Sequence, residues 1–143
     1  MGLKTIIVAI DSSASSRQEV VAALKTFYIQ PTTKIIFSHV SPTLNLADED
    51  VYKPHQSPEE THRQLEAEIK SYQDQLGGKC ELEIVSGDPA EEIIRLANIY
   101  DANLIVIGNR GLKGFKRVIQ GSVSSQVVSD GPCSVLVVKA ANN

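Results

Sequence analysis

The sequence predicts an α/β fold, a doubly wound parallel sheet of five strands with helices on both faces. Short apolar segments rich in β-branched residues alternate with helical patterns, in four strand–helix units followed by a last strand. Most of these segments lack polar alternation, which is typical of strands buried on both faces, and right-handed crossovers then cover both sides of the sheet. The 143 residues fit one domain over residues 1–143.

The first two predicted strands flank a helix. Ile6–Ile10 and Lys34–Val40 are the apolar strand segments. Between them, Ser16 and Glu19 form a possible capping box, and Pro31 is expected to end the helix. Its apolar residues at helical spacing are Val20, Val21, Leu24, Phe27 and Tyr28.

The next two helices have clearer start signals. After a long polar loop over residues 41–57, Ser57 is the expected cap, with Pro58 in the first turn. Asp88 followed by Pro89 and Glu91 repeats this pattern. The expected buried faces are Leu65, Ile69, Tyr72 and Leu76 in one helix and Ile93, Leu96, Ala97 and Tyr100 in the other.

The remaining segments complete the sheet. Residues 80–85 alternate apolar and acidic side chains, which predicts an edge strand with one exposed side. Leu104–Ile107 and Ser134–Val138 are the last two strands, and between them a short helix carries Val123, Val127 and Val128. Gly131-Pro132 is expected to end that helix.

Bulk composition excludes several classes of function. The net charge of −3 gives no whole-chain attraction to nucleic acid or anionic lipid. No apolar stretch reaches the length of a membrane span, and the amino terminus does not resemble a signal peptide. Cys80 and Cys133 are far apart, which favours two reduced thiols. We therefore expect a cytoplasmic protein with neither a nucleic-acid nor a membrane partner.

The stretch after the fourth strand carries the chemistry. Gly108 and Gly111 are followed, after nine residues, by Gly121 and Ser122 at the expected start of a helix. Absent side chains let the main chain approach a ligand, and free amides at a helix start suit phosphate. The alternative is that these glycines only form turns.

These residues resemble the nucleotide-binding subgroup of the universal stress protein family. Its ATP motif is G-x-x-G, nine residues, then G followed by S or T, and Gly108, Gly111, Gly121 and Ser122 match every fixed position. Asn109 stands where serine or threonine is common in the family. The resemblance extends over the whole chain through the segments 7–11, 39–40, 87–90 and 133–138.

The resemblance implies the strand order 3-2-1-4-5 and an adenine nucleotide, ATP with Mg²⁺ or Mn²⁺, across the ends of strands one and four. Adenine and ribose would face Ala9, Asp11 and Val40. The other implied contacts, to ribose and phosphates, are Ile107, Gly108, Arg110, Gly111, Gly121, Ser122, Val123 and Ser124.

Several alternatives stay open. Asp11 could instead cap the first helix, and Lys113, Lys116 and Arg117 could contact phosphate or only solvent. The three histidines lack metal-ligand spacing, and neither a P-loop nor a G-x-S-x-G motif occurs. The function is expected to be regulation of a stress response by ATP binding. A slow ATPase or phosphotransferase and an interaction dimer without nucleotide are the alternatives.

The last strand is expected to mediate self-association. In the implied order Val135–Val138 forms an exposed apolar edge, and such edges tend to be paired or covered. Universal stress proteins commonly pair this strand across a two-fold axis, so the resemblance implies a homodimer.

Overall fold

The computed structural model describes residues 3–11, 14–41, 58–108 and 117–139. Within them, five parallel strands and four helices alternate along the chain, which confirms the predicted fold class. The elements are β1 (Thr5–Ile10), α1 (Ala14–Leu24), β2 (Lys34–Ser41), α2 (Pro58–Leu76), β3 (Lys79–Ser86), α3 (Pro89–Ile99), β4 (Leu104–Gly108), α4 (Arg117–Asp130) and β5 (Ser134–Val138).

The sheet order is β3-β2-β1-β4-β5, as the resemblance implied. Strand β1 lies at the centre and pairs with β2 on one side and β4 on the other. The chain moves outward from β1 to β2 and β3, and then returns to place β4 on the other side of β1. This reversal makes the carboxyl ends of β1 and β4 the switch point, where parallel α/β sheets bind ligands.

Two apolar cores lie on the two faces of the sheet. Ile6 and Val8 of β1 pack with α1 and α2, whereas Ile7 packs with α3 and α4. All three side chains are fully buried, as the continuous apolar run of β1 predicts. The sheet therefore separates an α1/α2 face from an α3/α4 face.

Helix α1 differs from its predicted bounds. It begins at Ala14 and ends at Leu24, so Ser16 and Glu19 lie inside it and the predicted capping box is wrong. Phe27 and Tyr28 follow the helix and are exposed. A tightened turn closes α1 because the Phe27 amide donates to the Leu24 carbonyl at 3.0 Å, well before Pro31.

The starts of α2 and α3 confirm the predictions for Pro58 and Asp88. Helix α2 begins at Pro58, and Asp88 caps α3 by accepting a hydrogen bond from the Glu91 amide at 3.0 Å. Strand β3 is an edge strand, as its acidic alternation predicted. The Asp88 signal succeeded because cap, proline and glutamate act within one turn of the chain. Ser57, the predicted cap of α2, lies outside the described residues.

Helix α4 begins at Arg117, one turn before the predicted start at Gly121. Gly121 and Ser122 are therefore the fifth and sixth residues of the helix. Their amides follow the first turn, whose N–H groups are the ones without intrahelical partners. Helix α4 is thus longer than predicted, because it includes residues 117–120 before Gly121. A glycine inside a helix costs only about 1 kcal/mol, so Gly121 does not prevent this.

Candidate functional site

The carboxyl ends of β1 and β4 lie side by side. Ala9 is in register with Ile107, and Gly108, the last residue of β4, pairs with Val138 on the opposite side. Asp11 follows β1 directly. The structure thus brings Ala9, Asp11, Ile107 and Gly108 together at the carboxyl ends of β1 and β4, as the sequence predicted.

A shared apolar wall joins four of the predicted site residues. Ile107 is a buried member of the core on the α3/α4 face, and Ala9, Val40 and Val123 pack against that core while partly exposed. They come from β1, β2, β4 and α4. Apolar side chains of this kind line the sites of many small-molecule ligands.

Gly108 is not required by the packing around it. An added Cβ would lie 3.5 Å from Ser16 Oγ and 3.7 Å from Val20 Cγ2, which are ordinary van der Waals distances. At Gly131, in contrast, a Cβ would lie 2.6 Å from the Val127 carbonyl oxygen. Among the described residues, packing does not explain the glycine at position 108, so close approach by a ligand remains a reason for it.

The predicted phosphate contacts are only partly described. Ser124 lies in α4 and is buried. Gly121 and Ser122 precede it by three and two residues on the same helix. Arg110 and Gly111, together with Lys113 and Lys116, lie outside the described residues.

Arg17 fixes the main chain where β1 ends. Its side chain is 4% exposed, and the guanidinium donates from Nη1 to the Asp11 carbonyl oxygen at 2.8 Å. Nε and Nη2 donate to the two carboxylate oxygens of Glu68 at 2.7 and 2.6 Å. This two-point geometry uses the planar fork of arginine, which lysine cannot reproduce.

Tyr72 completes this buried cluster on α2. Its hydroxyl donates to Glu68 Oε1 at 2.5 Å. The hydrogen bond from Arg17 holds the pKa of Glu68 below its usual value, and the same bond raises the pKa of Arg17. Burial, followed by the hydrogen bond to Glu68, raises the pKa of Tyr72 to about 12. All three groups therefore keep their charge states, cation, anion and neutral phenol, around neutral pH.

His39 lies near the same cluster, at the carboxyl end of β2. Burial lowers its pKa, the Arg17 cation lowers it further, and Asp11 opposes the shift. His39 Nδ1 is buried without a hydrogen-bond partner among the described residues. The imidazole is therefore neutral at physiological pH.

Comparison with known proteins identifies the family. The model of the universal stress protein family matches residues 2–139. A universal stress protein from Synechocystis is 31% identical over 154 aligned positions that cover 97% of this chain and 99% of the relative. The chain belongs to the universal stress protein family.

Solved structures of other universal stress proteins share the fold. One from Arabidopsis thaliana, with AMP bound, has a TM-score of 0.69 at 22% identity and covers 96% of this chain and 92% of its own. Another, from Archaeoglobus fulgidus in complex with dAMP, has a TM-score of 0.60 at 19% identity and covers 97% of this chain and 100% of its own. The family therefore includes members that bind adenine nucleotides.

Sequence reasoning missed Arg17 and Glu68 of this universal stress protein. Each lies on the apolar stripe of its helix: Arg17 precedes Val20 by three residues, and Glu68 precedes Tyr72 by four. A cation on one buried stripe and an anion on another predict a buried ion pair, since an unpaired buried charge is costly. That signal was present in the sequence, although 51 positions separate the two residues.

Proposed function

We propose that this protein binds an adenine nucleotide, ATP with Mg²⁺ or Mn²⁺, at the carboxyl ends of β1 and β4, and regulates a stress response through nucleotide occupancy. The observation that carries the proposal is Gly108 at the end of β4, where a Cβ would make only ordinary contacts with α1 among the described residues. The apolar wall of Ala9, Val40, Ile107 and Val123 lies on the opposite, α3/α4 face of the sheet. Bound AMP and dAMP in related proteins support the ligand class.

The residues present fit such a ligand. Ala9 and Val40 would face the base, and the Val40 main chain would read its edge. Ile107 would line the ribose, and Val123 would lie near the phosphates. Asp11 would accept hydrogen bonds from ribose hydroxyls, which its carboxylate suits. Gly108 would let the ribose and the first phosphate approach β4 closely.

The phosphates would lie toward the amino-terminal half of α4. The free amides of its first turn begin at Arg117, and Gly121, Ser122 and Ser124 follow on the next turn. The helix dipole adds about 0.3–1 kcal/mol at an exposed site. Arg110 and Gly111 would supply the remaining contacts, and Mg²⁺ or Mn²⁺ would bind phosphate oxygens, which hard cations prefer.

Isothermal titration calorimetry with ATP and Mg²⁺ tests the proposal. We expect saturable binding, and at about 100 times Kd the nucleotide should stabilise the fold by roughly 2.7 kcal/mol. Gly121→Val should abolish binding by filling the phosphate site. Ser129→Val, at an exposed position later in α4, is the matched control and should bind like the wild type. Wild-type protein that gives neither heat nor thermal stabilisation at millimolar ATP would contradict the proposal.

We propose in addition that the protein is cytoplasmic and forms a homodimer through β5. Burial raises the pKa of the Cys80 thiol to about 11 and that of Cys133 above its usual value, so both thiols stay protonated and unreactive. This fits a reducing compartment. No described helix is long and apolar enough to cross a membrane. Strand β5 is one edge of the sheet, with half-buried apolar residues from Val135 to Val138.

A further inference from the structure

Arg17 connects helix α2 to the proposed nucleotide site. Its guanidinium contacts two parts of the fold. Nε and Nη2 donate to the Glu68 carboxylate on α2, and Nη1 donates to the Asp11 carbonyl oxygen. Asp11 is the residue that follows the central strand β1, at the switch point of the sheet. The position of the Asp11 main chain is therefore set by a side chain whose own position is set from α2.

Stability alone does not account for this arrangement. Taking a guanidinium and a carboxylate out of water costs several kcal/mol per ion, and well-packed apolar residues often replace such pairs without loss of stability. The Arg17 side chain is 4% exposed and the Glu68 side chain 26% exposed. The planar guanidinium of Arg17, however, orients the Glu68 carboxylate and the Asp11 carbonyl to which it donates. The Tyr72 hydroxyl in turn fixes the Glu68 carboxylate.

We propose that Arg17 is a positioning residue: held by Glu68, it fixes the main chain at Asp11 so that the Asp11 carboxylate meets the ribose of the bound nucleotide. The inference rests on the proposed function and deepens it, because it makes ribose recognition depend on α2. Arg17 does not touch the nucleotide. Loss of the Arg17 guanidinium should therefore weaken recognition of the ribose hydroxyls and leave the contacts to base and phosphate unchanged.

The test compares ATP with 2′-deoxy-ATP and 3′-deoxy-ATP by calorimetry. A hydrogen bond from a ribose hydroxyl to a charged carboxylate is worth about tenfold in affinity, so wild-type protein should bind at least one deoxy analogue about tenfold more weakly than ATP. In the double variant Arg17→Met/Glu68→Gln that ratio should fall to about threefold or less. The Kd of the deoxy analogue should stay within about twofold of wild type.

The double variant separates positioning from folding. Methionine keeps the apolar stem of Arg17, and glutamine keeps an acceptor for the Tyr72 hydroxyl without leaving an unpaired buried charge. Arg95→Met is the matched control, since it removes a guanidinium that also donates from Nε and Nη2 to a carboxylate, Glu92, on the exposed surface of α3. Its ratio should equal that of the wild type.

Each outcome decides the inference. Three results would overturn the inference and leave the proposed function standing. The affinity ratio is unchanged in the double variant, ATP and both deoxy analogues lose affinity equally, or the ratio also falls in the Arg95→Met control. Wild-type protein that binds no nucleotide would refute the proposed function and the inference together.

Discussion

An added Cβ at Gly78 would lie 2.8 Å from the Thr33 carbonyl oxygen, whereas at Gly108 it would meet no described atom closer than 3.5 Å. The space available for a side chain therefore differs between the two glycines. At Gly78 the approach of two main-chain segments excludes a side chain. At Gly108, where β4 ends, a side chain would make only ordinary contacts with the described residues, and we propose ligand approach as the reason for the glycine.

This contrast gives a prediction for single alanine substitutions. Gly108→Ala should leave the thermal midpoint unchanged or slightly raised, because alanine costs less conformational entropy than glycine in a strand. It should nevertheless weaken ATP binding. Gly78→Ala, the matched control, should lower the midpoint and leave the ATP Kd of the folded protein unchanged. Thermal unfolding and calorimetry measure both properties, and wild-type ATP affinity in Gly108→Ala would refute this role of the glycine.

At the scale of elements, the starts of α2 and α3 could be predicted from the sequence because their signals are local. The bounds of α1 and α4 could not. The first turn of α1 buries Ser16 and Arg17 against the rest of the fold, and such tertiary contacts are not visible in a local sequence pattern. The same limit applies to the site: Ala9, Ile107 and Gly108 follow from strand order, whereas Arg17 required knowledge of how α1 faces α2.

The ion pair between α1 and α2 predicts how stability depends on pH. The folded-state pKa of Glu68 lies below the ordinary value of 4.5, so its contribution is present above about pH 4.5 and is lost as the pH falls through the folded pKa. Glu68→Gln should therefore be less stable than wild type at pH 7, and the difference should shrink below pH 4.5. Urea unfolding between pH 7 and pH 3 measures it. A difference that stays constant over this range would contradict the assignment.

At the scale of the whole molecule, the two edges of the sheet differ in chemistry. Strand β3 carries Lys79, Glu81 and Glu83, charges that discourage pairing with another chain. Strand β5 carries an uninterrupted apolar run after Ser134. We therefore expect self-association through β5 and not through β3.

Light scattering at micromolar concentration tests the dimer. We expect a mass of about 31 kDa, twice the 15.5 kDa of one chain. Val137→Lys should shift the population toward monomer, because a charge on an apolar edge opposes pairing, whereas Ile84→Lys on β3 should leave the mass unchanged. A monomer mass for the wild type would remove the claim.

A crystal structure of the protein grown with ATP and Mg²⁺ shows directly where the nucleotide binds. We expect adenine against Ala9 and Val40, ribose beside Ile107 and within hydrogen-bond distance of Asp11, and phosphates toward the amino-terminal half of α4. A nucleotide bound elsewhere would contradict this expectation. So would a site at the carboxyl ends of β1 and β4 that is filled by the protein's own atoms at saturating ATP.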